Sequence, residues 1–92
     1  MEISVTLKAR YQGEIQRFLC SYFGTEQNIA CEAMQITYIF FDSIDAHNIV
    51  NAFADNMDNY CADMWVSFEN KNFKVTEENL YTVLCAILAR AA

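Results

Sequence analysis

The spacing of apolar residues changes several times along this 92-residue chain between a period of two and a period near 3.6. A period of two is typical of a strand with one buried face, and a period of 3.6 is typical of an amphipathic helix. The chain has no proline and only two glycines, so few residues interrupt these patterns. We therefore expect strands and helices in one domain that spans residues 1–92.

Four segments have the strand pattern and three have the helix pattern. The predicted strands cover residues 3–8, 34–41, 64–69 and 73–75. The first predicted helix covers residues 10–23 and ends before Gly24, which is typical of a helix C-terminus. The second begins with Asp42, Ser43 or Asp45 as its N-cap and extends to Tyr60, and the third follows Thr76. Residues 69–72 are typical of a turn and predict a hairpin between the last two strands.

The order β-α-β-α-β-β-α predicts a small two-layer domain of the α+β or α/β class, with a four-stranded mixed sheet and three helices. Right-handed crossovers would make the first three strands parallel neighbours, with the fourth strand antiparallel at an edge. A ferredoxin-like arrangement is the alternative, because an additional short strand within residues 28–32 would change the strand order.

Negative charge is concentrated in the middle of the chain. Between Gly24 and Asn70 there are eight acids and no lysine or arginine, which gives a formal charge of 0 − 8 = −8 in a chain of net charge −6. This charge argues against direct binding to nucleic acid or to anionic membranes. It is consistent with an acidic face for a basic protein partner, or with a solvated helix face and loops. The candidates for such a face are Asp45, Asp55, Asp58 and Asp63.

The sequence contains no recognisable catalytic, metal or cofactor motif. His47 is the only histidine, and the nearby Asp42 and Asp45 are explained as helix caps rather than as partners of a catalytic base. The acids lack the spacing of a calcium loop, and two glycines cannot form a phosphate-binding loop. We therefore expect a non-enzymatic protein without a cofactor or metal. The four cysteines form no C-x-x-C pair and are expected to be reduced: Cys20, Cys31, Cys61 and Cys85.

The start of the chain gives no targeting signal. Met1 is followed directly by Glu2 and an alternating run, without the basic and apolar regions of a signal peptide. No apolar stretch approaches the roughly 20 residues of a membrane-spanning helix. We therefore expect a cytoplasmic protein that does not enter a membrane.

Large apolar side chains occupy the face of the predicted sheet that turns away from the helices. Ile39 and Phe41 share this phase with Trp65 on the next predicted strand, and together they would form an apolar patch of about 400–500 Å². A second copy of the chain, an apolar ligand or the third helix could cover it. The third helix has apolar residues beyond the single stripe that faces the core, since Tyr81 and Cys85 lie outside its core positions. This predicts either a dimer contact or a central position between the other helices.

The leading interpretation is a small acidic interaction module that forms a homodimer through Ile39, Phe41 and Trp65, with Tyr81 and Cys85 as further contacts. One alternative is an acidic inhibitor that docks on a basic, nucleic-acid-binding partner. Another is a regulatory domain that binds a small molecule on the same sheet face.

Overall fold

A computed structural model describes residues 2–25, 32–55 and 63–89 of the chain. The elements are β1 (Ile3–Lys8), α1 (Glu14–Phe23), β2 (Gln35–Phe40), α2 (Ser43–Asp55), β3 (Asp63–Phe68), β4 (Lys71–Lys74) and α3 (Leu80–Leu88). The predicted succession of four strands and three helices is therefore confirmed as a small α+β domain. The predicted extension of α2 to Tyr60 lies outside the described residues, as does nearly all of the short strand considered for residues 28–32.

Local sequence signals explain where several elements begin and end. Gly24 follows α1 with a φ of 72°, a left-handed conformation that glycine adopts without strain. The Asp42 carboxylate accepts a hydrogen bond of 2.7 Å from the Ile44 amide at the start of α2. Ahead of α3, the Asn79 amide donates to the Thr76 hydroxyl and the Thr76 amide donates to the Asn79 side chain. This reciprocal pair closes a turn ahead of the helix. The prediction that α3 directly follows Thr76 is wrong, because α3 begins at Leu80 and its N-cap is Asn79.

The sheet has the strand order β2-β1-β3-β4, and every neighbouring pair is antiparallel. The prediction of a mixed sheet with three parallel neighbouring strands is therefore wrong. Strand β1 lies between β2 and β3 and pairs antiparallel with both. The connection through α2 thus joins two strands that run in the same direction but are separated by β1. A helical crossover fixes relative direction but does not require the two strands to be adjacent.

All three helices contribute to one core on one face of the sheet. The β1 residues Ile3, Val5 and Leu7 form its centre, and each is about 1% exposed. Helix α2 contacts both α1 and α3 and also contacts β1 and β2. The core residues that the helices supply are Ile15, Phe18, Leu19, Ala46, Ile49, Val50, Phe53, Val83 and Ile87. The opposite face of the sheet is therefore not covered by any of the three helices.

The first residue of α1 is a buried acid. Glu14 is 0% exposed, and neither of its carboxylate oxygens has a hydrogen-bond partner within the described ranges. The positive end of the helix dipole favours an acid here by about 0.3–1 kcal/mol. Leaving a buried polar group without a partner costs about 1–3 kcal/mol, and more for a charged group. The burial cost is the larger of the two, so we expect Glu14 to lower the free energy of unfolding.

Replacement of Glu14 with an apolar side chain of similar length should therefore stabilise the protein. We expect Glu14→Met to raise the free energy of unfolding by about 1–2 kcal/mol, the difference between the burial cost and the dipole gain. Urea denaturation followed by circular dichroism would measure the change. The exposed acid Glu77 provides the control, because Glu77→Met should leave stability within about 0.5 kcal/mol of the parent. A less stable Glu14→Met variant would contradict the prediction.

Candidate functional site on the open face of the sheet

The sheet face opposite the helices carries mostly polar side chains. We call it the open face; its residues are Ser4, Thr6, Lys8, Gln35, Thr37, Ile39, Asp63, Trp65, Ser67, Asn72 and Lys74. The strand register arranges them in rows. One row runs from Thr37 through Thr6 and Trp65 to Lys74. A neighbouring row contains Gln35, Lys8 and Asp63.

The three residues predicted to form an apolar patch are not contiguous. Ile39 is 54% exposed on β2, and Phe41 is 73% exposed just beyond the end of that strand. Trp65 is half-buried on β3. Ile39 and Trp65 share the open face, but β1 lies between their strands. The prediction that they occupy neighbouring strands is therefore wrong.

Trp65 forms one wall of a pocket on the open face. The pocket has a volume of about 270 Å³ and is lined by Thr6, Lys8, Gln35, Trp65, Ser67 and Asn72. The Lys8 Nζ lies over the indole, 5.1 Å from the ring centroid, within the range of a cation–π contact. Two hydroxyls, two amides, one ammonium group and one aromatic ring thus surround a single opening.

Hydrogen bonds fix part of this pocket. The Ser67 hydroxyl donates to the Asn72 side-chain oxygen at 2.6 Å, which leaves the Asn72 amide nitrogen as a donor. The Thr6 and Thr37 hydroxyls are 2.9 Å apart and share one hydrogen bond. These two cross-strand bonds hold polar groups in place on both sides of Trp65.

Positive charge predominates beside the pocket although the chain as a whole is acidic. Asp63 is 3.8 Å from both Arg10 and Lys74, measured from its Oδ1 to their side-chain nitrogens. These ion pairs are exposed and contribute little to stability. Lys8 adds a third cation next to this single carboxylate, so the local sum is 3 − 1 = +2.

The four candidate acids do not lie on one surface of the described chain. Asp45 and Asp55 are exposed on α2, on the helix side of the sheet. Asp63 is on the open face, on the other side of the sheet. Asp58 lies outside the described residues. The structure therefore does not bring the described acids together as a single face.

Helix α3 leaves part of its apolar surface exposed. Its buried side chains are Val83 and Ile87, whereas Tyr81 is 80% exposed and Cys85 is also exposed. Residues four apart lie on the same side of a helix, so Tyr81 and Cys85 are neighbours on the side away from the core. Helix α3 contacts α2 and does not cover Trp65. A central position was predicted for the third helix, but α2 is the helix that contacts both α1 and α3. An interface role for Tyr81 and Cys85 stays a prediction.

The outer edge of β2 is unpaired within the described part of the chain. The Ala9 amide donates to the Met34 carbonyl at 2.8 Å, so this opposed pair is hydrogen-bonded. Bonded and non-bonded pairs alternate along an antiparallel ladder. It follows that alternate residues of β2 direct their backbone N–H and C=O groups away from β1. These residues are Gln35, Thr37 and Ile39.

The two edges of the sheet differ in chemistry. Strand β2 has the sequence QITYIF, six residues without a charge, a proline or a glycine. Strand β4 at the opposite edge has only four residues, and two of them are Lys71 and Lys74. Short length and lysines are the features that keep an edge strand from pairing with other chains. Sequence reasoning missed this site because it becomes visible only when the strand order is known.

An aromatic cluster lies on the helix side of the same edge, with Tyr22, Tyr38 and Phe40 half-buried and Phe23 exposed. The ring centroid of Tyr38 is 6.2 Å from that of Phe23 and 6.3 Å from that of Phe40, and the ring centroids of Phe23 and Tyr22 are 4.9 Å apart.

Burial raises the pKa of Tyr22 above its ordinary value of 10.0, and the negative charge of Asp45 raises it further.

Several other kinds of site are absent from the described part of the chain. Residues 2–25, 32–55 and 63–89 contain no group of three or more histidine, cysteine or acidic side chains that could hold a metal ion. His47 is half-buried on α2. Within these ranges, no helix has both the length and the apolar character needed to cross a membrane.

No protein-family model matches this chain, and neither a curated protein nor a solved structure shows significant similarity to it. The candidate sites are therefore defined by the geometry alone: the polar pocket beside Trp65 and the uncharged edge of β2.

The raised pKa of Tyr22 predicts a loss of stability at alkaline pH. Above about pH 10 the unfolded chain releases the Tyr22 proton more readily than the folded chain does, so the free energy of unfolding falls as pH rises through the folded-state pKa. Tyr22→Phe removes this contribution. We expect the difference in stability between the parent and Tyr22→Phe to shift in favour of the variant above pH 10. Denaturant titrations at pH 8 and pH 11 would measure it, and a pH-independent difference would contradict the assignment.

Proposed function

We propose that this protein is a non-enzymatic interaction module that forms a homodimer through the outer edge of β2. The observation that carries the proposal is an uncharged six-residue edge strand whose outward backbone groups have no partner within the described residues. Ile39 and Phe41 remain interface residues in this arrangement because they lie on or just beyond β2. Trp65 does not belong to this interface, because β1 and β2 both lie between β3 and the partner.

Backbone hydrogen bonding supplies the first part of the argument. Unpaired N–H and C=O groups along an edge strand are a template for a further strand. In a dimer with a two-fold axis, two antiparallel β2 strands would offer each other the groups of Gln35, Thr37 and Ile39. The result would be one continuous eight-stranded sheet across both copies.

Charge and shape favour a second copy of this chain as the occupant. Charged side chains on an edge strand oppose pairing, and in a C2 interface both copies would bring the same charge to the contact. Strand β2 carries none, and the nearest acid, Asp42, follows the end of the strand. On the helix side, the half-buried rings of Tyr38 and Phe40 would bury further apolar surface beside the paired strands.

The alternative of an acidic inhibitor has less support. Such a protein would present its carboxylates together to a basic partner. Asp45 and Asp55 are on the helix side, and Asp63 is on the open face between two cations. The described acids therefore offer no common docking surface.

Sedimentation equilibrium tests the dimer directly. We expect the parent protein to have about twice its chain mass of 10.6 kDa. Ile39→Lys should give a folded monomer, because it would add a lysine from each copy to the paired edge, and lysines on an edge strand oppose pairing. Asn72→Lys is the matched control: it adds the same charge on the open face of the other edge strand and should leave the dimer intact.

A second variant tests the backbone contact without a change of charge. The Thr37 N–H points away from β1, so Thr37→Pro removes one intermolecular donor from each copy and leaves the backbone ladder with β1 in place. We expect this variant to remain folded by circular dichroism and to dimerise more weakly. A parent protein that stays monomeric at millimolar concentration would overturn the proposal, as would an Asn72→Lys variant that dissociates as completely as Ile39→Lys.

A further inference from the structure

The pocket beside Trp65 is a second candidate site, independent of the β2 edge. It lies over β1 and β3, whereas the proposed dimer contact lies beyond β2. Its volume of about 270 Å³ is just below the range of roughly 300–1,000 Å³ that is usual for ligand pockets. A ligand for this pocket is therefore small.

Charge indicates the sign of the ligand. Lys8 lines the pocket, and Arg10 and Lys74 lie beside it with Asp63 between them. The local sum of +2 contrasts with the net charge of −6 for the chain. Half of the six basic residues of the protein are thus next to one pocket. A small anion with one or two negative charges matches this surplus, whereas a long polyanion would be repelled by the remainder of the protein.

The polar lining indicates hydroxyl groups on the ligand. The Asn72 amide nitrogen is available as a donor, because its side-chain oxygen already accepts a hydrogen bond from Ser67. Gln35 offers both a donor and an acceptor at the other end of the pocket. A sugar with several hydroxyls satisfies such a mixture better than a purely apolar molecule does.

The indole indicates a planar ring. Lys8 is exposed and lies over the Trp65 ring, so its flexible side chain can move aside while its ammonium group pairs with an anion. Planar bases stack on aromatic side chains whichever base they are, and the half-buried Trp65 forms one wall of this pocket. One aromatic ring on the open face provides a platform for one base, not for a series of bases.

From these features we propose that the pocket binds a nucleoside monophosphate. The base would stack on Trp65 with its edge toward Asn72, the ribose hydroxyls would contact Gln35, and the phosphate would pair with Lys8, which lies opposite Gln35 in the β1–β2 ladder. Each part of the ligand thus corresponds to one part of the lining: an aromatic wall, neutral hydrogen-bonding groups and an unshared cation.

Trp65 is the only tryptophan of the chain, so its fluorescence reports on this pocket alone. We would titrate the protein with AMP, GMP, CMP and UMP and follow the emission of Trp65. At least one of the four should quench it with saturation. Lys8→Gln should weaken that binding by about tenfold or more, through loss of one charge-assisted contact.

Arg17→Gln is the matched control, because Arg17 also lies over an aromatic ring, that of Tyr11 at 5.9 Å, but on α1 in the helix layer. This variant should bind as the parent does. The same titrations in the Ile39→Lys variant separate the pocket from dimer formation, since binding should persist whether or not the protein dimerises.

Three results would overturn the proposal. The first is no saturable quenching by any of the four nucleotides. The second is equally tight binding of the matching nucleoside or of inorganic phosphate, because either would show that ring and anion are not recognised together. The third is tighter binding of a single-stranded oligonucleotide at equal nucleotide concentration, which would assign the pocket to nucleic acid.

Discussion

The pairing of β1 with a strand on each side is the contact on which the whole structure depends. Its ladder with β2 and its ladder with β3 hold Ile3, Val5 and Leu7 at the centre of the core, where the helices contact the sheet. The same strand separates Ile39 from Trp65 on the opposite face. Strand β1 therefore both organises the core and separates the uncharged edge of β2 from the polar pocket beside Trp65.

The elements themselves could be predicted from the sequence because their patterns are local. The alternation in residues 3–8 and the stripe of Ile15, Phe18 and Leu19 depend only on neighbours along the chain. The strand order could not be predicted in this way. A helix between two strands is compatible with neighbours or with strands separated by a third, and only long-range packing decides between them.

The candidate sites show the same division. The outward phase of Ile39 and Trp65 followed from a period of two, and the structure places both on the open face. The pocket did not follow, because its lining comes from all four strands, and Lys8 meets Trp65 only through the β1–β3 ladder. Net charge was also a poor guide here, since an acidic total conceals a local excess of cations around Asp63.

The contrast between the two margins of the sheet has a consequence for assembly size. If both edges of the sheet could pair with another copy, association could continue without limit and form a fibre. In the proposed dimer only the edge at β2 would pair, because β4 at the other edge is short and carries Lys71 and Lys74, features that oppose strand pairing. Such association would stop at two molecules, because both ends of the joined sheet would then be β4 edges, whose lysines disfavour the addition of a third molecule.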